Sequence, residues 1–239
     1  MLWVDLKFLS RNWHKTLATT LVAPVLYLLA FGYGLGRGVT IEGYSYLEFV
    51  IPGIISLTAM TTSFNAAGMK LHVDRLFYKC FDEALMSPVS FFSIIVGKTL
   101  AGVLRGLIST AALLVACFIF SPIPAVSPLF WLTLIVTCFV FSFLGVLVAL
   151  IAKSHQDMSV FMSLVILPMA FLSSTFFSLN QVPVAMRMVL SLSPLTPASL
   201  CLRASALGQP FPWVSLALLL GFGVVFFGLC FAALRKTSL

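Results

Sequence analysis

From Leu129 to Ala152 the chain carries no charged residue, no histidine and no side-chain amide, and five other stretches approach that apolarity. A bilayer's hydrocarbon core is about 30 Å thick and takes about 20 apolar residues to cross as an α-helix, so each stretch is long enough to span it. The six run from Thr16 to about Gly36, Leu47 to Gly68, Phe91 to Phe120, Leu129 to Ala152, Met158 to Leu179 and Trp213 to Leu234. No alternating-polarity strands of a membrane barrel occur, and unbroken apolar runs must satisfy their backbone polar groups internally, as helices do. The expected fold class is therefore all-α, a polytopic membrane protein with six transmembrane helices in one domain over residues 1–239. Composition agrees, with 61% apolar and 9% charged residues, against about 25% charged in a soluble domain.

Charge sets the expected orientation. With the N terminus in the cytoplasm, the inner connections hold Lys7, Arg11, Lys15, Lys70, Arg75, Lys79, Lys153, Arg235 and Lys236, and the outer ones only Arg37, Arg187 and Arg203. Nine against three places both termini inside. The net charge of +7 is thus a matter of topology and points to no nucleic-acid partner, because the basic residues stand singly between apolar runs. Ahead of the first span, Leu2, Leu6, Leu9 and Trp13 recur at helical spacing among Asp5, Lys7, Arg11 and Lys15, the pattern of an amphipathic interfacial helix. Its long apolar sequel, with no small-x-small cleavage site, reads as a retained helix and not as a signal peptide. The stretch 180–210 is apolar enough to suggest a seventh crossing. Pro183, Pro194 and Pro197 interrupt it and Arg187 and Arg203 flank it, so short external or re-entrant helices are expected between spans five and six. The five cysteines form no C-x-x-C pair and read as packed free thiols.

Several chemistries lack their residues. Gly97-Lys98-Thr99 resembles the end of a phosphate-binding loop, but Phe92 stands where that loop needs its first glycine. His14, His72 and His155 share no ligand spacing, and no Asp or Glu lies deep in any span, so no metal site, catalytic residue or proton relay is expected. A secondary transporter or channel would call for ion-coupling carboxylates or inverted repeats, and a lipid-modifying enzyme for convergent acids or histidines at one depth. Neither set is visible.

What remains are polar residues inside the spans. Lys98 and Arg105 are seven residues apart on one face of span three. They suit either snorkelling and interhelical hydrogen bonds or contact with an anionic group of a substrate or lipid. Gly102 and Gly106 form a small-xxx-small pair on the same helix. Thr58, Thr61 or Thr62, and Asn65 share a face of span two, and Ala170, Ser174 and Ser178 a face of span five. Such stripes line a substrate path or serve as ordinary interhelical hydrogen bonds.

The connection from Lys70 to Ser90 gathers Val73, Phe77, Cys80 or Phe81, and Ala84 on one face and stops at Ser87-Pro88, as a short amphipathic helix would. It suits either a surface connector or a helix-in-groove contact with a cytoplasmic partner. The run Phe81-Asp82-Glu83-Ala84-Leu85-Met86-Ser87-Pro88-Val89-Ser90 resembles the pattern after the second span of type-2 ATP-binding-cassette (ABC) export permeases, the family of drug, nodulation-factor and polysaccharide exporters. Val50-Ile51-Pro52-Gly53-Ile54, Gly97 with Arg105-Gly106, and Ser193-Pro194-Leu195-Thr196-Pro197 are similar to that family too, so the resemblance covers nearly the whole chain. It implies a half-permease of a bacterial-type inner membrane that homodimerises among membrane lipids and exports an amphipathic, lipid-like or drug-like substrate. ATP and Mg would sit on a separate cytoplasmic ATP-binding subunit, with no cofactor on this chain. Phe81, Asp82, Glu83, Leu85, Ser87 and Pro88 would then couple to that subunit, and Thr58, Thr62, Asn65, Arg105, Ser174 and Ser178 would border the substrate path.

Overall fold

The structure is a computed structural model that describes residues 2–35, 38, 40–41, 43–78, 90–120, 127–178, 183, 187 and 190–237. Its helices are α1 (Leu2–Tyr27), α2 (Tyr46–Phe64), α3 (Lys70–Leu76), α4 (Phe91–Phe120), α5 (Pro128–Ile151), α6 (His155–Phe161), α7 (Leu167–Leu172), α8 (Leu195–Leu207) and α9 (Trp213–Thr237). Wide π-helical turns prolong α1 over Leu28–Leu35, join α2 to α3 over Asn65–Met69, and join α6 to α7 over Met162–Ile166. Among the described residues the one sheet is a hairpin in which Thr40–Ile41 pairs antiparallel with Tyr44–Ser45, so the fold is all-α as expected.

Among the described residues five helices are long and apolar enough to cross a membrane: Tyr46–Leu76, Phe92–Phe118, Pro128–Ile151, His155–Leu172 and Trp213–Arg235. A shorter apolar helix, Thr16–Phe31, lies inside the expected first span. The amphipathic start and that span form one unbroken helix from Leu2, since neither glycine nor proline interrupts the chain before Pro24. The second helix outruns its expected end at Gly68. The π turn carries it to Leu76, so Lys70 to Leu76, expected in a separate connector, prolongs the span.

Capping defines the ends. Pro128 opens α5 behind Ser127, whose hydroxyl accepts from the Phe130 N–H at 3.4 Å. At the far end Arg75 donates to the Ala149 carbonyl at 3.1 Å and to that of Leu150, placing a cation on unpaired carbonyls where the helix dipole is negative. Ser154 and Asp157 form a reciprocal capping box that starts α6 immediately afterwards.

Helix α5 is the hub, packed against α2, α4, α8 and α9. Glycines bring it within backbone contact of α2: a Cβ on Gly145 would lie 2.6 Å from the Phe64 carbonyl oxygen, and one on Gly68 would lie 2.8 Å from that of Gly145. The Gly102–Gly106 pair fills the close-packing role its spacing predicts. A Cβ on Gly102 would meet Ser142 Oγ at 2.6 Å, and one on Gly106 would collide with Ser63 Oγ. By contrast α9 and the α6–α7 helix turn Val214, Val224, Leu164 and Leu167 outward as an apolar surface fit for lipid.

Of the proline-broken stretch, Leu195–Leu207 forms a short helix. At 13 residues, α8 is about 20 Å long, too short to cross a bilayer. It ends at Gly208, whose φ of 68° is a left-handed C-terminal stop. Almost every residue of α8 is buried against α2, α5 and α9, as in a helix that protein covers.

Candidate functional site

A cavity of about 650 Å³ opens between α1, the α2–α3 helix, α4 and the α6–α7 helix. Four of the residues singled out from sequence, Thr58, Thr62, Asn65 and Arg105, lie on its wall together. Thr61 and Ala170 join them. The threonine hydroxyls are partly committed: Thr58 donates to the Ile54 carbonyl at 2.8 Å, Thr61 to Leu57 at 3.0 Å and Thr62 to Thr58 at 2.6 Å. Their protons serve their own helix, which leaves the hydroxyl oxygens as acceptors. The N–H donors on the wall are the Asn65 amide and the Arg105 guanidinium, and among the described residues Arg105 has no hydrogen bond or ion pair with the protein.

One end of the cavity is aromatic. Tyr27 and Phe171 line it, and Phe176 backs both, with ring centroids 5.8 Å from Tyr27, 6.0 Å from Phe171 and 4.6 Å from Phe31. The Tyr46 hydroxyl donates to the Phe176 carbonyl at 3.1 Å, tying this cluster to the start of α2.

Lys98 and Arg105 share a helix face but not an environment. Lys98 is buried and forms an ion pair with Asp74 of α3, a partner supplied by the extension of the second helix past its expected end. Arg105 has no such carboxylate.

Ser174 and Ser178 stand elsewhere. The fifth long helix stops at Leu172, short of the expected Leu179, because Ser173 and Ser174 leave helical geometry, Ser174 with a φ of 57°. The helical stripe that would have aligned them with Ala170 is therefore broken, and neither lines the cavity. Ser174 instead meets Arg203, which the sequence places among the basic residues of the outer connections. Arg203 is only 4% exposed and donates through Nη2 to the Ser174 carbonyl at 2.7 Å. The reason is local: a helix that breaks inside a packed bundle frees carbonyls that need buried donors, and a guanidinium supplies several.

The first helix contributes Thr19, Thr20, Ala23, Pro24 and Tyr27 to the wall, none of which was singled out from sequence. Thr16, Thr20, Ala23 and Tyr27 recur at three- and four-residue spacing, the signal that would have found them. Phe81, Asp82, Glu83, Leu85, Ser87 and Pro88 lie outside the described residues.

A half-open cavity in a helical bundle, with a polar flank and an aromatic end, suits binding and passage. The family comparison agrees with that reading: residues 1–207 match the model of the ABC-2 type transporter. The chain belongs to the ABC-2 type transporter family. It is similar to the inner membrane transport permease YadH of Escherichia coli strain K12, with 28% identity over 98% of this chain and 96% of that protein. It is similar also to Nodulation protein J of Rhizobium meliloti strain 1021, with 28% identity over 94% of this chain and 88% of that protein. Nodulation protein J of Rhizobium leguminosarum biovar viciae matches at 28% over 85% and 81%. As an ABC-2 family member the chain is the membrane subunit of an ABC transporter, and the expectation drawn from its resemblance to export permeases holds at that level.

Proposed function

We propose that this ABC-2 permease is the membrane half of an ATP-driven exporter that moves an amphipathic or lipid-like substrate out of the cytoplasm across a bacterial inner membrane. The observation that carries this is the cavity, where Thr58, Thr62, Asn65 and Arg105 from two helices meet α1 and the α6–α7 helix around about 650 Å³. That volume lies within the 300–1,000 Å³ range usual for small-molecule sites.

In this reading all 239 residues form one permease domain. The Thr16–Phe31 helix serves as a sixth crossing, and both termini face the cytoplasm as the charge asymmetry favours. Two copies pair, and a separate cytoplasmic ATP-binding subunit carries ATP and Mg. Substrate enters from the Asn65–Met69 side, where the second helix continues into the Lys70–Leu76 extension. The aromatic cluster of Tyr27, Phe31, Phe171 and Phe176 closes the outer end. ATP binding by the partner pushes on the segment from Phe81 to Pro88, and the covalent continuity of that segment with α3 and α4 transmits the push to both cavity walls. Separation of Phe176 from Tyr27 and Phe31 then opens the path outward.

The test is reconstitution of the chain with its ATP-binding subunit, comparing wild type with the double variant Glu83→Ala, Leu85→Ala. The variant should hydrolyse ATP without coupled transport. Full, coupled transport by the variant would refute the coupling role of this segment.

A further inference from the structure

We infer that the cavity selects anionic amphiphiles, with Arg105 holding the negatively charged headgroup at mid-membrane depth and the apolar chain lying against α1 and the α6–α7 helix. This rests on reading the cavity as the substrate path and adds the substrate's charge.

Arg105 sits at the middle of the 30-residue α4, about 21 Å along the helix from its first residue at 1.5 Å per residue. A bare cation at that depth is costly in a bilayer, and such residues pair or face a water-filled space. Arg105 faces the cavity, and among the described residues it has no protein partner. The chain's seven acidic residues are Asp5, Glu42, Glu48, Asp74, Asp82, Glu83 and Asp157, all near the ends of spans or between them. Asp74, which lies nearest in sequence to the cavity wall, is already engaged by Lys98. By sequence no carboxylate falls in the middle of a span, so the anion that Arg105 suits is one that a ligand brings into the cavity.

The remaining wall describes the rest of that ligand. Asn65 adds an amide donor beside the guanidinium, and the threonine hydroxyls, having donated to their own helix, suit the neutral polar part of a headgroup better than its charge. Ala23, Met162, Ile166, Leu167 and Phe171 form an apolar flank. The helices carrying them turn Val22, Leu26, Leu164 and Leu167 to the surroundings, so a chain lying there is continuous with bilayer lipid. A phosphate, sulfate or carboxylate headgroup shares this chemistry, because a guanidinium forks onto each. A small soluble anion would leave the apolar flank unused.

The experiment uses the full chain in phosphatidylcholine nanodiscs, without ATP or a partner. Phosphatidic acid carrying a diazirine in one acyl chain is compared with diacylglycerol carrying the same chain, and cross-links are mapped by peptide. The anionic probe should label α1 and the Met162–Phe171 region about tenfold more than the neutral probe, the ratio expected for one charge-assisted pair. Arg105→Gln should abolish that preference and Arg105→Lys should keep most of it. Inorganic phosphate at equal concentration should not compete. Ala170→Trp, which fills the cavity beside the chain, should reduce labelling by both probes, a readout that stands even if Arg105→Gln fails to fold.

Equal labelling by the two probes, an unchanged preference in Arg105→Gln, or competition by phosphate alone would overturn the inference. The assay needs no transport, so the two readings fail separately. Selective labelling without ATP-driven export would leave the site standing and refute the exporter; export without selectivity would do the reverse.

Discussion

The guanidinium of Arg203 lies 3.7 Å from the centroid of the Phe49 ring, and its Nε donates to the Phe49 carbonyl at 3.2 Å. Through Nη2 the same group donates to the Ser174 carbonyl at 2.7 Å, so one side chain joins α8 to the start of α2 and to the break after α7. Next to it, a Cβ on Gly53 would collide with the Thr175 carbonyl oxygen, which shows how closely that break sits on α2.

Replacing Arg203 with Met should therefore destabilise the bundle by about 2–4 kcal/mol, through carbonyls left buried without donors. Arg203→Lys should recover less than half of the loss, because an ammonium cannot fork over Phe49, Ser174 and Thr175 at once. Cys201 on the same helix reports the loss. Burial pushes its thiol up to about 12, so at pH 8 it stays protonated and reacts with maleimide only on unfolding. Thermal denaturation in detergent, followed by Cys201 labelling, should show a lower midpoint for both variants. An unchanged midpoint in Arg203→Met would remove the clamp.

Arg203 also marks the limit of what the sequence revealed. The apolar runs set helix positions well, with α4 running from Phe91 to Phe120 as its span was drawn and α5 shifted by one residue. These spans end at prolines, serines and charges that no helix in lipid passes without help. The second and fifth helices were drawn less well. Continuation to Leu76 depends on Asp74 meeting Lys98 and Arg75 meeting the end of α5, and the stop at Leu172 depends on Arg203 donating to the freed carbonyls. Those partners are distant in sequence, and periodicity records only neighbours. The same divide runs through the site. Thr58, Thr62, Asn65 and Arg105, singled out from local spacing, lie together on the cavity wall, whereas Ser174 and Ser178 lie past the helix end and off that wall.

Close packing at Gly145 predicts a steric response. Gly145→Val should cost at least about 2 kcal/mol, because the new side chain meets the Phe64 carbonyl and the Gly68 nitrogen, which belong to backbone and cannot rotate away. Gly221→Ala, where nothing lies within 4 Å of the new Cβ, should be neutral or stabilise by about 0.5–1 kcal/mol through helix propensity. Thermal midpoints of the two purified variants check the contrast. Equal midpoints would contradict the α2–α5 contact.

For Lys98 and Asp74 the expectation is non-additive. Lys98→Met alone leaves the Asp74 carboxylate without its partner, and Asp74→Asn alone strands a buried ammonium, so each single change should cost more than the pair changed together. A double-mutant cycle on unfolding midpoints should give a coupling of about 1–3 kcal/mol. A coupling near zero would mean that the pair does not hold α3 to α4.

The most direct measurement of the account is substrate movement in proteoliposomes that hold this chain with and without its ATP-binding subunit. A fluorescent anionic amphiphile is loaded on the side equivalent to the cytoplasm. The predicted result is outward transfer that requires the ATP-binding subunit, Mg and hydrolysable ATP together, and that falls to background with Glu83→Ala, Leu85→Ala. Transfer at the same rate by the permease alone, or driven by an ion gradient with ATP omitted, would contradict it.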